Sequence, residues 1–171
     1  GAVLVGMSER TTPAGVERMA RRLFGNSEVK QVIALDMAKE RAQMHLDTVM
    51  TMVDRDKFTV HPAAAAALRC FLLEKRGDRL VISEQQGTLE DTLARVLGLD
   101  RVIDAAREQW NDGANTLAVA PGEVVTFSRN HVTNRILRDY GVTVHEIPSA
   151  ELSRGRGGPR CMSMPFYREE I

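Results

Sequence analysis

"AVLVGMSERTTPAGVERMARRLFGNSEVKQVIAL", residues 2–35, decides the fold. Residues 2–6, "AVLVG", are an apolar run that reads as a strand. Thr12 is the expected N-cap of a following helix, with Pro13 at its first position, where a missing N–H costs nothing. Val16, Met19, Ala20, Leu23 and Phe24 recur at helical spacing on one face. Gly25 is the expected stop, and "VKQVIAL", 29–35, the second strand. Strand, helix and strand in that order predict an α/β protein.

The plan recurs twice. "RLVIS" (79–83) reads as a strand. It is followed by the helix "TLEDTLARVLG", in which Thr88 and Asp91 resemble a capping box and Gly98 is the stop. "RVID" (101–104) is its second strand. The third unit runs "EVVTF" (123–127), a helix with Val132, Ile136, Leu137 and Tyr140 on one face, a stop at Gly141, and "VTVHEI" (142–147). "HPAAAAALRCFLLEK", 61–75, fits less well and reads as a short helix leading into a strand. Counting 20 residues from Gly25 reaches His45, and the same count from Gly141 reaches Cys161. In a radially repeated fold such equivalent positions converge on the axis. The count from Gly98 lands on Ala118, which brings no reactive group.

The 171 residues suit one domain with a sizeable core. Lys+Arg and Asp+Glu number 23 each, and a net charge of zero argues against a general nucleic-acid binder. No apolar run approaches the roughly 18 residues of a membrane span, and no signal peptide is visible. Cys70 and Cys161 do not make a disulfide framework, so a reducing, cytoplasmic setting is expected. Because the chain opens directly on a strand, we expect it to be a piece of something longer.

Chemistry concentrates in two places. Cys161 ends the run "RGRGGPRC", 154–161. A free thiol ionises at about pH 8.5 and needs help to be a nucleophile at neutrality. Arg156 and Arg160 are expected to supply positive charge. Glycines 155, 157 and 158 would let the backbone approach a ligand, and Pro159 would stiffen that approach. The same loop would also hold an anion without catalysis, and many cysteines are simply small core residues. The second place is "HLDT", 45–48. If 46–53 is a strand, His45 and Asp47 share a face. The imidazole can then shuttle protons, while Asp47 orients it or binds a cation; a plain surface His-x-Asp pair has the same spacing. His61 precedes Pro62 in a loop, His131 flanks a helix, and His145 alternates within a strand. Glu9 and Arg10 fall in the first strand-to-helix turn, matched by "TFSRNH", 126–131. An arginine there can fork onto a carboxylate or remain a solvated loop charge.

"VGMSERTTPAGVERMARRLF", "HLDTVMTMVD", "GANTLAVAPGEVVTFSRN" with the following "TN", and "RGRGGPRCMSMP" together resemble the C-terminal part of arginine deiminase, over nearly the whole chain. That family belongs to the guanidine-modifying enzymes, or penteins, with a pseudo-fivefold α/β propeller. The resemblance implies that residues 1–171 are about three of the five units, incomplete at the N-terminal side. It implies that Cys161 attacks the guanidinium carbon of L-arginine, giving a covalent amidino intermediate on the way to citrulline and ammonia. His45 would protonate the departing ammonia and activate water, and Asp47 would grip the guanidinium. Arg10 and Arg156 would hold the α-carboxylate, with backbone contact from Gly155. Two further acidic residues of the family pattern fall before this chain begins, and Glu9 is neither of them by position. The isolated chain is therefore expected to be inactive or nearly so, and to associate with itself or with the missing half. No cofactor or metal is implied. His45 and Asp47 offer only two of the three or four ligands a metal needs, and there is no Cys-x-x-Cys pair. Two other readings stay open at this point: an arginine-binding fragment without chemistry, and a papain-like thiol protease. The arginine-rich cysteine loop and the His-then-Cys order fit the second poorly.

Overall fold

The computed structural model describes residues 1–98, 101–103, 108 and 111–167. Strand β1 (Ala2–Met7), helix α1 (Pro13–Asn26) and strand β2 (Gln31–Asp36) form the first unit, and β1 and β2 lie parallel. Thr12 caps α1 by accepting from the Gly15 N–H at 3.2 Å, with Pro13 next to it. The stop differs from expectation. Gly25 lies inside the last turn, and the helix ends because Ser27 turns extended, its N–H and hydroxyl both bonding the Leu23 carbonyl at 3.0 and 2.8 Å. A serine oxygen competing for a late carbonyl ends a helix without any need for glycine.

Strands β3 (Met50–Met52) and β4 (Lys57–Val60) follow, then the short helix α2 (Pro62–Ala65) and the long hairpin β5 (Arg69–Arg76) and β6 (Arg79–Gln85). Helix α3 (Leu89–Leu97) carries the expected capping box of Thr88 with Asp91 and ends at Gly98 in the left-handed region, φ +65°. Strand β7 (Arg101–Ile103) comes next, and residue 104 of the expected strand lies outside the described residues. Strands β8 (Leu117–Ala120) and β9 (Glu123–Phe127), helix α4 (His131–Asp139) and strand β10 (Thr143–Ile147) complete the order.

Three sheets result: β1-β2-β5-β6, β3-β4-β7 and β10-β9-β8. The third unit is as expected, β9 and β10 lying parallel on either side of α4. The middle unit is not. Strand β6 pairs antiparallel with β5 in the first sheet, while β7 pairs parallel with β4 in another. The parallel pair that matches β9 and β10 is thus β4 and β7. In both cases the first strand also carries an antiparallel neighbour, β3 on β4 and β8 on β9. Among the described residues β1 has no such neighbour, so its outer edge is free.

Strand β2 has both faces covered, which explains its unbroken apolar run "VIAL". Val32 and Ala34 pack with Val16 and Ala20 of α1, while Ile33 and Leu35 face Val49, Val60, Leu89 and Leu93. Val53, Ile103, Val124, Leu137 and Val142 form a third cluster that joins the other two sheets. Among the described residues no helix is long and apolar enough to cross a membrane.

Candidate functional site

His45 and Asp47 do not alternate along a strand. Leu46–Thr48 is one 3₁₀ turn with His45 extended at its head, and strand β3 starts only at Met50. The turn closes because the Thr48 hydroxyl and N–H both donate to the His45 carbonyl, at 2.6 and 3.1 Å. Asp and Thr are residues whose short polar side chains favour such local closure over a ladder. Arg10, in the turn between β1 and α1, reaches this segment. Its Nη1 lies 2.8 Å from His45 Nε2 and 3.4 Å from Met44 Sδ. A guanidinium only donates, so Nε2 accepts and the neutral ring carries its proton on Nδ1. Among the described residues the imidazole's hydrogen-bond partner is therefore Arg10 and not the thiol.

Cys161 is exposed on the loop that follows the 3₁₀ turn Leu152–Gly155. The charges that act most on the sulfur are negative. The thiol is pushed up, first by burial against the surrounding loop and then by the negative charge of Asp47, with a further push from Asp112. The Asn115 side chain and the Gly158 backbone act the other way, favouring the thiolate. Arg156 instead lends its charge to Asp112. Its backbone stands at φ +68°, ψ 158°, a region that L-residues other than glycine seldom enter. Arg160 bonds through its backbone, N–H to the Asn115 carbonyl at 3.5 Å.

The glycines also act differently from expectation. Gly157 and Gly158 bring the loop against its own protein. A Cβ on Gly158 would lie 2.5 Å from the Asn115 carbonyl oxygen, and one on Gly157 (φ +111°) would lie 3.0 Å from the Cys161 Cβ. Gly155 has open space in front of it.

Asp112 and Asn115 are the residues that sequence reasoning missed. Asn115 is fully buried. Its Oδ1 accepts the Cys161 N–H at 3.0 Å, and its Nδ2 donates to the Asp47 carbonyl at 3.1 Å. One amide thus joins the cysteine loop to the "HLDT" turn. Asp112 (φ +57°) accepts the Gly157 N–H at 3.3 Å, and its own carbonyl accepts the Asn115 N–H at 2.9 Å. Burial raises the Asp112 carboxyl above the ordinary carboxylate range, with Asp47 adding to the rise and the Gly157 N–H, Arg156 and Arg129 opposing it. The signal available beforehand was the Asp112-Gly113 pair, a turn dipeptide where the "GANTLAVAP" stretch (113–121) begins. Nothing local tells that its neighbour Asn115 will bind residues 46 and 68 positions away.

The other histidines fall outside this cluster. His61 caps α2 by accepting the Ala64 N–H at 3.3 Å. His131 opens α4, and His145 pairs with Glu123 at 2.6 Å on β9 and β10. Cys70 is buried, and its thiol is raised chiefly by that burial.

The result is a thiol within electrostatic reach of two carboxylates, with an imidazole and a guanidinium at the head of the adjoining turn. Negative charge beside a thiol disfavours the bare thiolate but suits a cationic electrophile.

The chain is 51% identical over 182 residues to arginine deiminase of Clostridium perfringens, covering 98% of this chain and 44% of that protein. It therefore spans less than half the length of the curated relatives it matches. Among solved structures, the SxtG amidinotransferase from Microseira wollei has a TM-score of 0.67 at 16% identity, covering 98% of this chain and 45% of that one. The N-terminal domain of ArgZ, a cyanobacterial arginine dihydrolase solved with product bound, has a TM-score of 0.63 at 15% identity, covering 92% of this chain and 48% of that one. At such identities these two speak for the α/β fold alone. The family model for arginine deiminase matches residues 1–168, which takes in both the "HLDT" turn and the cysteine loop, and the chain belongs to the arginine deiminase family.

Proposed function

We propose that this chain carries the nucleophile half of an enzyme that hydrolyses L-arginine to L-citrulline and ammonia. The observation that carries the reading is the pairing of a thiol with carboxylates whose charges reach it, joined through one buried amide. In an empty site burial first, and then those charges, favour the protonated thiol. An arriving guanidinium offsets them and favours the thiolate at the moment it is needed. Asp47 accepts guanidinium N–H bonds and fixes the plane. Cys161 passes its thiol proton to His45 Nε2, the sulfur bonds to the guanidinium carbon, and the C–N bond breaks as His45 hands that proton to the leaving ammonia. Water, deprotonated by the same imidazole, adds to the amidino carbon. The C–S bond breaks, returning the thiol and releasing citrulline. Arg10 and Arg156 take the α-carboxylate, with Gly155 offering backbone in open space. When Arg10 turns to that carboxylate it frees His45 Nε2 for proton transfer.

On this reading the three sheets are three units of a pseudo-fivefold α/β propeller, and residues 1–171 are the C-terminal part of its catalytic domain. The repeated pattern of a parallel pair plus an antiparallel neighbour in β3-β4-β7 and β8-β9-β10 supports it. The free edge of β1 is then where a strand from the complementary segment adds, and exposed Ile82, Val119, Phe166 and Tyr167 favour association with that segment or with a second copy. Two unpaired cysteines, one of them exposed, suit a reducing cytoplasm.

Two arms test the proposal. Citrulline formation should be negligible with the purified chain alone and appear when the complementary segment of a full-length relative is added; no turnover in the mixture counts against the enzyme. In the second arm, alkylation of Cys161 by a neutral iodoacetamide should titrate above the free-thiol value of about 8.5. Asp47→Asn should move that profile to lower pH while slowing labelling by cationic 2-chloroacetamidine. The same shift makes folding lose ground as pH climbs past the free-thiol value, because the unfolded chain ionises first. An arginine-binding fragment without chemistry would bind arginine yet show no selective amidine labelling.

A further inference from the structure

We propose that Asn115 is a positioning residue that sets the gap between the Cys161 sulfur and the Asp47 carboxylate, an inference that rests on the reading of Cys161 and Asp47 just given. The two segments that carry these groups are far apart in sequence, and each is closed by its own local bonds. The "HLDT" turn is held by Thr48 on the His45 carbonyl. The cysteine loop is held by Ser163 on the Arg160 carbonyl and by the Met162 N–H on the Gly158 carbonyl. Those bonds shape each segment but do not place one against the other.

The Asn115 amide does. It donates to the backbone of Asp47 and accepts from the backbone of Cys161, so it grips both reactive residues at their main chains, and the same side chain also acts on the Cys161 thiol in favour of the thiolate. Its own backbone is occupied as well, N–H to Asp112 and carbonyl from Arg160. A side chain tied at both ends of its amide and buried completely has one orientation. Gly158 leans on the same residue so closely that a Cβ there would stand 2.7 Å from both Asn115 Cβ and Oδ1. The Asp112 carboxylate, on the same turn, steadies the loop from the other side through the Gly157 N–H. No other residue type of this size offers a donor and an acceptor diverging from one planar group. Aspartate would set an oxygen against the Asp47 carbonyl, and leucine would fill the volume while leaving both backbone groups unpaired.

The test reads the rates at which 2-chloroacetamidine and iodoacetamide alkylate Cys161 in the purified chain, located by mass spectrometry of the cysteine peptide. The amidine reagent is a cation and needs the carboxylate at the right distance; the neutral reagent does not. Asn115→Ala and Asn115→Leu should each lower the amidine-to-amide rate ratio by about tenfold or more, as a misplacement near 1 Å does to reacting groups. Asp47→Asn should lower the same ratio. If Asp47→Asn lowers it and both folded Asn115 variants leave it unchanged, the positioning role is overturned and the arginine reading stands. If Asp47→Asn leaves the ratio unchanged, the arginine reading falls and this inference with it. Should neither Asn115 variant fold, nuclear magnetic resonance of the wild-type chain decides. Slowly exchanging Asn115 amide protons with cross-peaks to the Cys161 N–H support the bridge, and amide protons exchanging at solvent rate overturn it.

Discussion

The first and third strand-helix-strand units share an order and a parallel pairing, and they spend the same residues on different ends. Each has an arginine in its strand-to-helix turn. Arg10 lies at the surface side of the turn, its contacts being His45 and Met44 of the candidate site. Arg129 is packed: its guanidinium stands 5.0 Å from the Phe127 ring centroid, donates to the Ser153 hydroxyl at 2.9 Å and to the Asn111 carbonyl at 3.5 Å, and lies 3.8 Å from Asp112. The helix caps divide in the same way. Helix α1 caps itself through Thr12. Asn130, at the N-cap position of α4, makes no side-chain cap bond. Glu108 supplies it from outside, accepting the Val132 and Thr133 N–H groups at 2.8 and 3.0 Å together with the Thr133 hydroxyl. The first unit is locally self-sufficient and keeps its turn free for chemistry. The third depends on residues brought from elsewhere, and its turn arginine braces the segment that feeds the cysteine loop.

That contrast can be broken at four points, whose expected effects fall from Glu108 to Arg10. Glu108→Ala should cost about 2–3 kcal/mol of stability, because a carboxylate bonded to several donors at a helix N-terminus is lost at once. Chemical denaturation reads it, and a loss below that of Thr12→Ala would mean α4 does not need its outside cap. Arg129→Ala should cost about 1.5 kcal/mol through its lost ring contact and hydrogen bonds, and should slow alkylation of Cys161 as the brace loosens. Thr12→Ala should cost about 1 kcal/mol with no change in Cys161 labelling. Arg10→Ala should cost less than about 0.5 kcal/mol, as surface substitutions do, while weakening arginine binding measured by calorimetry in the reconstituted enzyme. If Arg10 proves as costly to stability as Arg129, the two turns are alike and the comparison fails.

What could be read from the sequence follows the same divide. Thr12 with Pro13, and Thr88 with Asp91, were legible because a cap and its partner are at most three residues apart. The left-handed Gly98 was legible for the same reason. Gly25 misled because a glycine near a helix end marks a stop only when nothing nearer competes, and Ser27 does. The middle unit misled because hydrophobic spacing tells that β6 and β7 are strands but not which sheets they join. In the candidate site, residue type and resemblance single out His45, Asp47, Arg10 and Cys161, and the proposed function rests on them. The effect of Asp47 and Asp112 on the thiol, and the Asn115 bridge, were not legible, since each depends on chain brought together over long separations; the 3₁₀ turn was missed although Thr48 closes it locally.

Arg156 sets folding and use against each other. Its backbone adopts a posture open to glycine at little cost, which for an arginine costs of order 1–3 kcal/mol. Arg156→Gly should therefore raise the melting temperature while stripping a guanidinium from the mouth of the cysteine loop. A laboratory selection that rewarded heat tolerance alone would drift toward glycine there and discard the proposed substrate contact, so the position offers a readable gauge of whether a lineage is being kept for its chemistry or merely for its durability.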